Sequence, residues 1–343
     1  MVTRSAVSQA RPSSQILFGA RERVEPRRRM LVGTLPGRIR HVVGYHAGWW
    51  DAAGRPTDGA GKAVRSALTL ASARAVIGRE DARGAVNAAA AVELAHDASL
   101  LHDDVMDGDR VRRHRAAAWT VFGASEAILA GDVLFVLAME ALDSRELVDV
   151  LSAAVLGVCA GQSADLTFEA RSEVSMDDCL AMAERKTAAL FGAACRLGAL
   201  AAGAGTETAE RYGTFGREVG MAFQLTDDVL GIWGDRGTTG KPVGADLARR
   251  KKSLPVVAAL TSGTEAGERL ARIYGGGGER KLDAPTIARA VRLIETAGGR
   301  DWAFAETRRR VQAASAALDE ASGHPQGVAD LHALAALITR RDH

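Results

Sequence analysis

Three aspartates raise the first question of chemistry. Asp103, Asp104 and Asp107 close the stretch Glu93-Leu-Ala-His96-Asp-Ala-Ser-Leu-Leu-His102-Asp103-Asp104-Val-Met-Asp107. On a helix, spacings of three and four residues turn these carboxylates to one side. Carboxylates held so closely repel one another unless cations lie among them. Hard oxygen donors at this density suit Mg2+, which keeps several waters and shares phosphate oxygens with its protein ligands. A solvated acidic helix end would show the same three letters. The flanking Leu100, Leu101, Val105 and Met106 favour the mouth of an apolar cavity instead. A second segment, Phe223-Gln224-Leu-Thr-Asp227-Asp228-Val-Leu-Gly231, repeats an apolar run ending in paired aspartates, 124 residues after Asp103. Two such clusters facing each other would hold metal ions that clamp a diphosphate.

A diphosphate site also needs cations. Arg110, Arg112, Arg113 and Arg115 follow the first acidic segment, and Lys241, Lys251 and Lys252 follow the second. Arginine can grip phosphate oxygens bidentately. Gly61-Lys62-Ala-Val-Arg65 opens a helix after a Gly-rich loop, where backbone N–H groups attract anions. Lys186-Thr187 offers a charge and a hydroxyl. Taken singly, each of these is an ordinary solvated residue; their placement beside the acidic motifs carries the case. GxGxxG and GxxxxGK[ST] are absent, as is a nucleophile elbow, which excludes the usual nucleotide cradles and serine hydrolases.

These residues need elements to hold them. Val86, Ala89, Ala90, Leu94, Ala98 and Leu101 recur at helical spacing, as do Ala130, Val133, Leu134, Leu137, Ala138 and Ala141. Ala181, Ala188, Phe191, Ala194, Cys195 and Gly198 form a third stripe. Small residues on these faces predict closely packed helices. Strand alternation and hairpin turns are missing, so the fold class reads as all-α. Residues 1–25 read as a polar, flexible arm, and 26–343 as one large helical domain. Arg27, Arg28 and Arg29 read as a solvated charge run. The 343 residues carry 44 Lys+Arg against 42 Asp+Glu, a balance that gives no reason to propose nucleic acid as a partner. Cys159, Cys179 and Cys195 form no CxxC pair, which fits small core residues in a reducing cytoplasm. No signal peptide or membrane span is expected.

Taken together, these motifs resemble the trans-isoprenyl diphosphate synthase (polyprenyl synthetase) family, with a likeness to its geranylgeranyl diphosphate synthases. The matching pieces are GKxxR at 61–65, ELxHxxSLxHDDxxD at 93–107, Arg112-Arg113, GQxxD at 161–165, Lys186-Thr187, FQxxDD at 223–228, and TGKPxGxD with KKSLP over 239–255. The resemblance implies the isoprenoid synthase fold, a single helical bundle around a deep central cavity, and a homodimer. It implies that Asp103, Asp107 and Asp227 bind Mg2+ with Asp104 and Asp228 assisting, three ions per active site when substrate is bound. Isopentenyl diphosphate would be held by Lys62, Arg65, His96 and Arg113. An allylic diphosphate (dimethylallyl, geranyl or farnesyl) would contact Arg112, Lys186, Thr187, Gln224, Lys241 and Lys251.

Two positions depart from the family pattern. The third aspartate of the second motif is Gly231, with Asp235 as the nearest replacement, and RRGxP reads Arg112-Arg113-His114-Arg115-Ala116. Ala98 and Ser99, five and four residues before Asp103, are both small, which in this family predicts a product longer than farnesyl, most simply geranylgeranyl diphosphate. Two other readings stay open: a class I terpene cyclase, opposed by Lys62, Arg65 and Asp227-Asp228, and a non-catalytic partner subunit, motivated by Gly231 and His114.

Overall fold

The computed structural model describes residues 11–57, 59, 61–79, 83–171, 173–234, 244–275 and 282–339. The small-residue stripes become helices. In chain order they are α1 (Ser13–Gly33), α2 (Gly37–His46), α3 (Val64–Ile77), α4 (Arg83–Met106), α5 (Ala118–Phe122), α6 (Ala124–Glu140), α7 (Arg145–Ala170) and α8 (Met176–Ala183). A π-turn (Glu184–Ala188) leads into α9 (Ala189–Ala201) and α10 (Thr206–Trp233). Then follow α11 (Ala245–Ala248), α12 (Leu254–Leu260), α13 (Glu265–Gly275), α14 (Ala284–Thr296), α15 (Gly299–Ala321) and α16 (Pro325–Thr339). The isoprenoid synthase fold and the all-α class are both as expected. The only strands among the described residues are Val111–Arg112 and Arg115–Ala116, a two-residue antiparallel hairpin.

Where the sequence reads as one domain, the chain packs as two compact units, each assembled from separated stretches. The first comprises the described residues up to Val155, Leu190–Gly216 and Ser315–Leu337. The second comprises Leu156–Ala189 and Arg217–Ala314, with Ile338 and Thr339.

In the first unit, Ala88 to Ala91 of α4 are fully buried, so neighbouring helices approach closely. A Cβ at Gly198 on α9 would lie 2.0 Å from the Thr69 carbonyl oxygen on α3, a contact that only glycine permits. Tyr212, Phe191 and Phe215 are its largest fully buried side chains. Burying such an aromatic is worth about 1.5–3 kcal/mol.

The polar arm differs from expectation. From Ser13 the chain is helical, and α1 buries Ile16, Ala20, Val24 and Val32. These recur every four residues in a polar background, enough for one narrow inward stripe. Arg28 falls in the same register. Its guanidinium is therefore carried inward, where it pairs with Asp97 and with Glu25 (2.9 Å), so the arginine run is not simply solvated.

The second unit centres on Met221, Leu225 and Val229 of α10, packed with Cys179, Met182 and Ala183 around α8 and with Leu254 and Val257 of α12. A further cluster joins Ile232, Leu270, Leu293 and Ile294. Among the described residues one helix, α7, is long and apolar enough to cross a membrane, although no such stretch was expected.

Candidate active site

Helix α4 delivers the first aspartates. Asp103 and Asp104 lie in its last turn, and the Asp107 N–H donates to the Asp103 carbonyl at 2.8 Å, continuing the helical geometry one step past the end. Asp103 and Asp107 are half-buried, while Asp104 is buried. Arg112 donates to Asp104 Oδ1 from Nε at 2.8 Å and from Nη2 at 2.5 Å. The three carboxylates thus divide, with Asp104 held by Arg112. Burial pushes the Asp104 carboxyl up, Arg112 opposes this, and Asp109 and Asp107 add to it.

Arg112 sits on the hairpin. Arg113 and His114 form its turn with φ of 50° and 62°, both left-handed. Two such residues make a primed two-residue turn, which usually uses Gly or Asn. Histidine is among the residues that tolerate this region. The missing Gly of RRGxP therefore costs strain without removing the turn. Arg115, one of the candidate phosphate ligands, instead donates to the carbonyls of Tyr45 (3.2 Å) and Trp50 (3.0 Å), fastening the hairpin to the aromatic cluster.

The residues expected to hold isopentenyl diphosphate gather in the first unit. Arg65 Nη1 lies 3.1 Å from His96 Nε2. Arginine can only donate, so His96 accepts and is neutral. Burial, then the charges of Arg65, Arg113 and Arg112, hold its imidazole well below the ordinary value. Arg113 packs on the loop before α3, its Cζ 3.0 Å from a Cβ placed at Gly61. Lys62 beside it is exposed. Behind Arg113 lies Asp97, buried, 3.8 Å from Arg113 Nη2, 3.8 Å from His46 Nε2, and paired with Arg28. Sequence reasoning missed Asp97, because its partners lie on α1, α2 and the hairpin.

The second unit presents the other cations. The π-turn carries Lys186 and Thr187; such bulges often mark functional sites. Lys186 Nζ donates to Asp165 Oδ2 at 2.6 Å, and Lys251 Nζ lies 3.8 Å from the same oxygen. Burial alone would raise the Asp165 carboxyl; Lys251 and Lys186 outweigh it and hold it low. Asp165, the last letter of GQxxD, thus fixes two lysines at once. Thr187 Oγ1 donates to Gln224 Oε1 (2.6 Å), Gln224 Nε2 donates to Asp228 Oδ1 (2.8 Å), and the Leu254 N–H donates to Asp228 Oδ2 (2.9 Å). Asp228 is buried and pushed up to about 7, chiefly by burial, with Lys251, Leu254 and Gln224 opposing. Asp227 beside it is half-buried. The adjacent lysines of KKSLP separate in role: Lys252 is buried and donates to the Phe168 carbonyl at 2.7 Å, anchoring the end of α7. Lys241 lies outside the described residues.

Asp103 and Asp107 in the first unit carry hard oxygen donors of the kind that a divalent cation takes, and so, separately, does Asp227 in the second. No three His, Cys, Asp or Glu side chains among the described residues form a ready-made shell. An ion there would complete its coordination with water and phosphate oxygens, as Mg2+ commonly does.

Residues 51–292, well over half of the chain, match the polyprenyl synthetase family. The chain belongs to this family. It is a prenyltransferase of isoprenoid biosynthesis, and divalent metal use goes with that membership. It is 47% identical over 309 residues to a geranylgeranyl diphosphate synthase of Mycobacterium tuberculosis, covering 88% of this chain and 86% of that protein. It is 44% identical over 304 residues to a (2E,6E)-farnesyl diphosphate synthase of Mycobacterium bovis, covering 86% and 84%. The crystal structure of a polyprenyl synthetase from Streptomyces coelicolor A3(2) superimposes with a TM-score of 0.90 at 42% identity, covering 95% and 99% of the two chains.

Proposed function

We propose that this polyprenyl synthetase joins isopentenyl diphosphate to an allylic diphosphate, with Asp103, Asp107 and Asp227 holding Mg2+ and the two aspartate motifs facing one diphosphate. The observation that carries the reading is the pair of cation sets, each built beside its own aspartate motif: Arg65 and Arg113 in one unit, with neutral His96 accepting from Arg65, and Lys186 and Lys251 joined through Asp165 in the other. One site condenses two diphosphates and needs two anion holders.

In the reaction, Lys186 and Lys251 donate to the allylic diphosphate, joined by the Thr187 hydroxyl once it turns from Gln224, and stabilise the charge that grows as its C–O bond breaks. Bound Mg2+ would supply further neutralisation of that leaving group. Lys62, Arg65, His96 and Arg113 hold isopentenyl diphosphate so that its terminal alkene carbon faces the allylic cation. Apolar walls exclude the water that would quench the cation. The alkene electrons form the new C–C bond, and the neighbouring carbon then loses a proton to the released diphosphate. Products are a prenyl diphosphate longer by five carbons and inorganic diphosphate, which carries away the proton.

For product length, Ala98 is fully buried, whereas Ser99 is half-buried and its hydroxyl donates to the His96 carbonyl at 2.8 Å. Small side chains at both positions favour geranylgeranyl diphosphate. A homodimer is supported by the apolar surface of α6, where Ile128, Leu129 and Val136 are 43%, 51% and 58% exposed. The test is incubation of purified protein with labelled isopentenyl diphosphate, each allylic primer and Mg2+, followed by product sizing. Geranylgeranyl diphosphate that depends on both substrates is expected. Turnover without isopentenyl diphosphate would point to a cyclase, and no turnover to a non-catalytic subunit.

A further inference from the structure

Of the two departures from the family pattern, the one at Gly231 turns on Asp235, which lies outside the described residues. The other, His114 and Ala116 in place of Gly and Pro, is in view on the hairpin. Both changes weaken that hairpin. A histidine in the left-handed region costs energy that glycine does not, and alanine lacks the fixed φ of proline. Yet the hairpin must carry Arg113 at its turn. What braces it comes from outside. Arg115 donates from Nη1 to the Tyr45 carbonyl (3.2 Å) and from Nη2 to the Trp50 carbonyl (3.0 Å). Tyr45 stands one residue before the end of α2, where carbonyls lack helical partners and a cation is favoured. The same guanidinium lies 4.4 Å from the centroid of the Tyr45 ring. The Tyr45 hydroxyl returns to the hairpin and donates to the Ala116 carbonyl at 2.8 Å. A Cβ at Gly59 would lie 3.5 Å from Arg115 Nη1, and one at Gly61 would lie 3.0 Å from Arg113 Nη2. The two arginines therefore border the same stretch, the one that leads to Lys62.

We infer, on the diphosphate reading above, that Arg115 is a positioning residue for isopentenyl diphosphate: it locks the hairpin to the end of α2 and so fixes Arg113, supplying stiffness that the hairpin lacks without its proline. Arg112, on the same hairpin, does not depend on this lock, because its own two bonds to Asp104 hold it. Arg113 has no such anchor; its ion pair with Asp97 is long, at 3.8 Å. Lysine cannot take the place of Arg115, since an ammonium group neither spans two carbonyls in one plane nor stacks flat on a ring. Proline at 116, by contrast, suits the ladder. Opposed residues of an antiparallel pair alternate between hydrogen-bonded and non-bonded. The Ala117 N–H donates to the Arg110 carbonyl at 2.9 Å, so the next pair, Val111 with Ala116, is the non-bonded one. The Ala116 N–H is turned away from the partner strand, and a proline there removes no ladder bond.

The test measures binding of isopentenyl diphosphate and, separately, of farnesyl diphosphate with Mg2+, by calorimetry on the full chain, with unfolding followed in parallel. Arg115→Met and Arg115→Lys are each expected to weaken isopentenyl diphosphate at least fivefold and to leave farnesyl diphosphate within twofold. Ala116→Pro alone is expected to leave both within twofold. The double variant Arg115→Met/Ala116→Pro is expected to bring isopentenyl diphosphate back to within threefold of wild type. Tyr45→Phe keeps the ring and removes only the hydroxyl bond to Ala116; it should weaken the same ligand at least twofold, again relieved by proline, and it decides the matter should Arg115→Met not fold. Unchanged isopentenyl diphosphate affinity in Arg115→Met, a lysine variant that binds like wild type, equal losses for the two ligands, or a loss that proline does not relieve overturns the inference. Arg113→Ala separates the two levels. If it abolishes isopentenyl diphosphate binding while the Arg115 variants leave it intact, only the role of Arg115 falls; if neither matters, the diphosphate reading itself falls.

Discussion

Gly161 on α7 offers the sharpest test of how the second unit aims its lysine. A Cβ there would lie 2.3 Å from Lys186 N, 2.6 Å from Lys186 Cα and 2.8 Å from Lys186 Cβ. The two nearest are backbone atoms of the π-turn, so no flexible tip can yield. Restoring an ordinary contact of 3.4 Å from 2.3 Å needs a displacement of about 1.1 Å. Overpacking of this kind costs about 1–3 kcal/mol, offset by about 1 kcal/mol of helix propensity gained over glycine. Gly161→Ala should therefore lose at most about 2 kcal/mol of stability. Its activity should suffer more, because a misplacement near 1 Å can cost about a hundredfold. Gly157, one turn earlier, is the control: its added Cβ would meet Ala189 Cβ at 3.4 Å, an ordinary contact. Gly157→Ala should be neutral or more stable by up to about 1 kcal/mol, with wild-type turnover. Denaturant unfolding and steady-state kinetics against the allylic diphosphate read both outcomes. If Gly161→Ala keeps kcat/KM within twofold of wild type, the claim that the π-turn must hold its position to aim Lys186 is wrong.

Four further outcomes follow from named contacts. Asp97→Asn should lose about 3 kcal/mol in denaturant unfolding, since removing one partner leaves the Arg28 charge buried, and should raise KM for isopentenyl diphosphate through Arg113. His46 is held down to about 4, chiefly by burial, against 6.5 unfolded. Its neutral form is favoured by folding, so stability falls as pH drops from about 6.5 to 4, by about 3 kcal/mol in all; His46→Asn should flatten that part of the stability profile. Ser99→Phe should shorten the product by at least one isoprene unit, read by chromatography of the dephosphorylated prenols. Val136→Asp, placing charge on the exposed apolar face of α6, should shift a dimer to monomer in light scattering.

The candidate chemistry of this protein is open to reading because its charged candidate ligands travel in short local motifs. Asp103 and Asp107 share a helix face by spacing alone, and Lys186-Thr187 announces itself as a cation beside a hydroxyl. What spacing cannot carry is pairing through space. Arg28 looks like one of three solvated arginines until Asp97, 69 residues away, is seen to meet it. Asp165 was visible as the end of GQxxD, but its hold on two lysines required the fold. The helix over residues 13–33 hid because one buried residue in four barely disturbs a polar composition. The hairpin hid because His114 takes a conformation that sequence rules assign to glycine. Spacing likewise does not show that a Cβ at Gly231 would lie 2.4 Å from Asp246 Oδ2.

The family match begins at residue 51, yet the first helix starts at Ser13. Anyone trimming the gene to the matched region would discard Arg28 and leave the Asp97 carboxylate facing His46 and Arg113 without its nearest counter-charge. The stretch that looks dispensable braces the side chains proposed to hold isopentenyl diphosphate, and a shortened version would be a damaged protein rather than a minimal one.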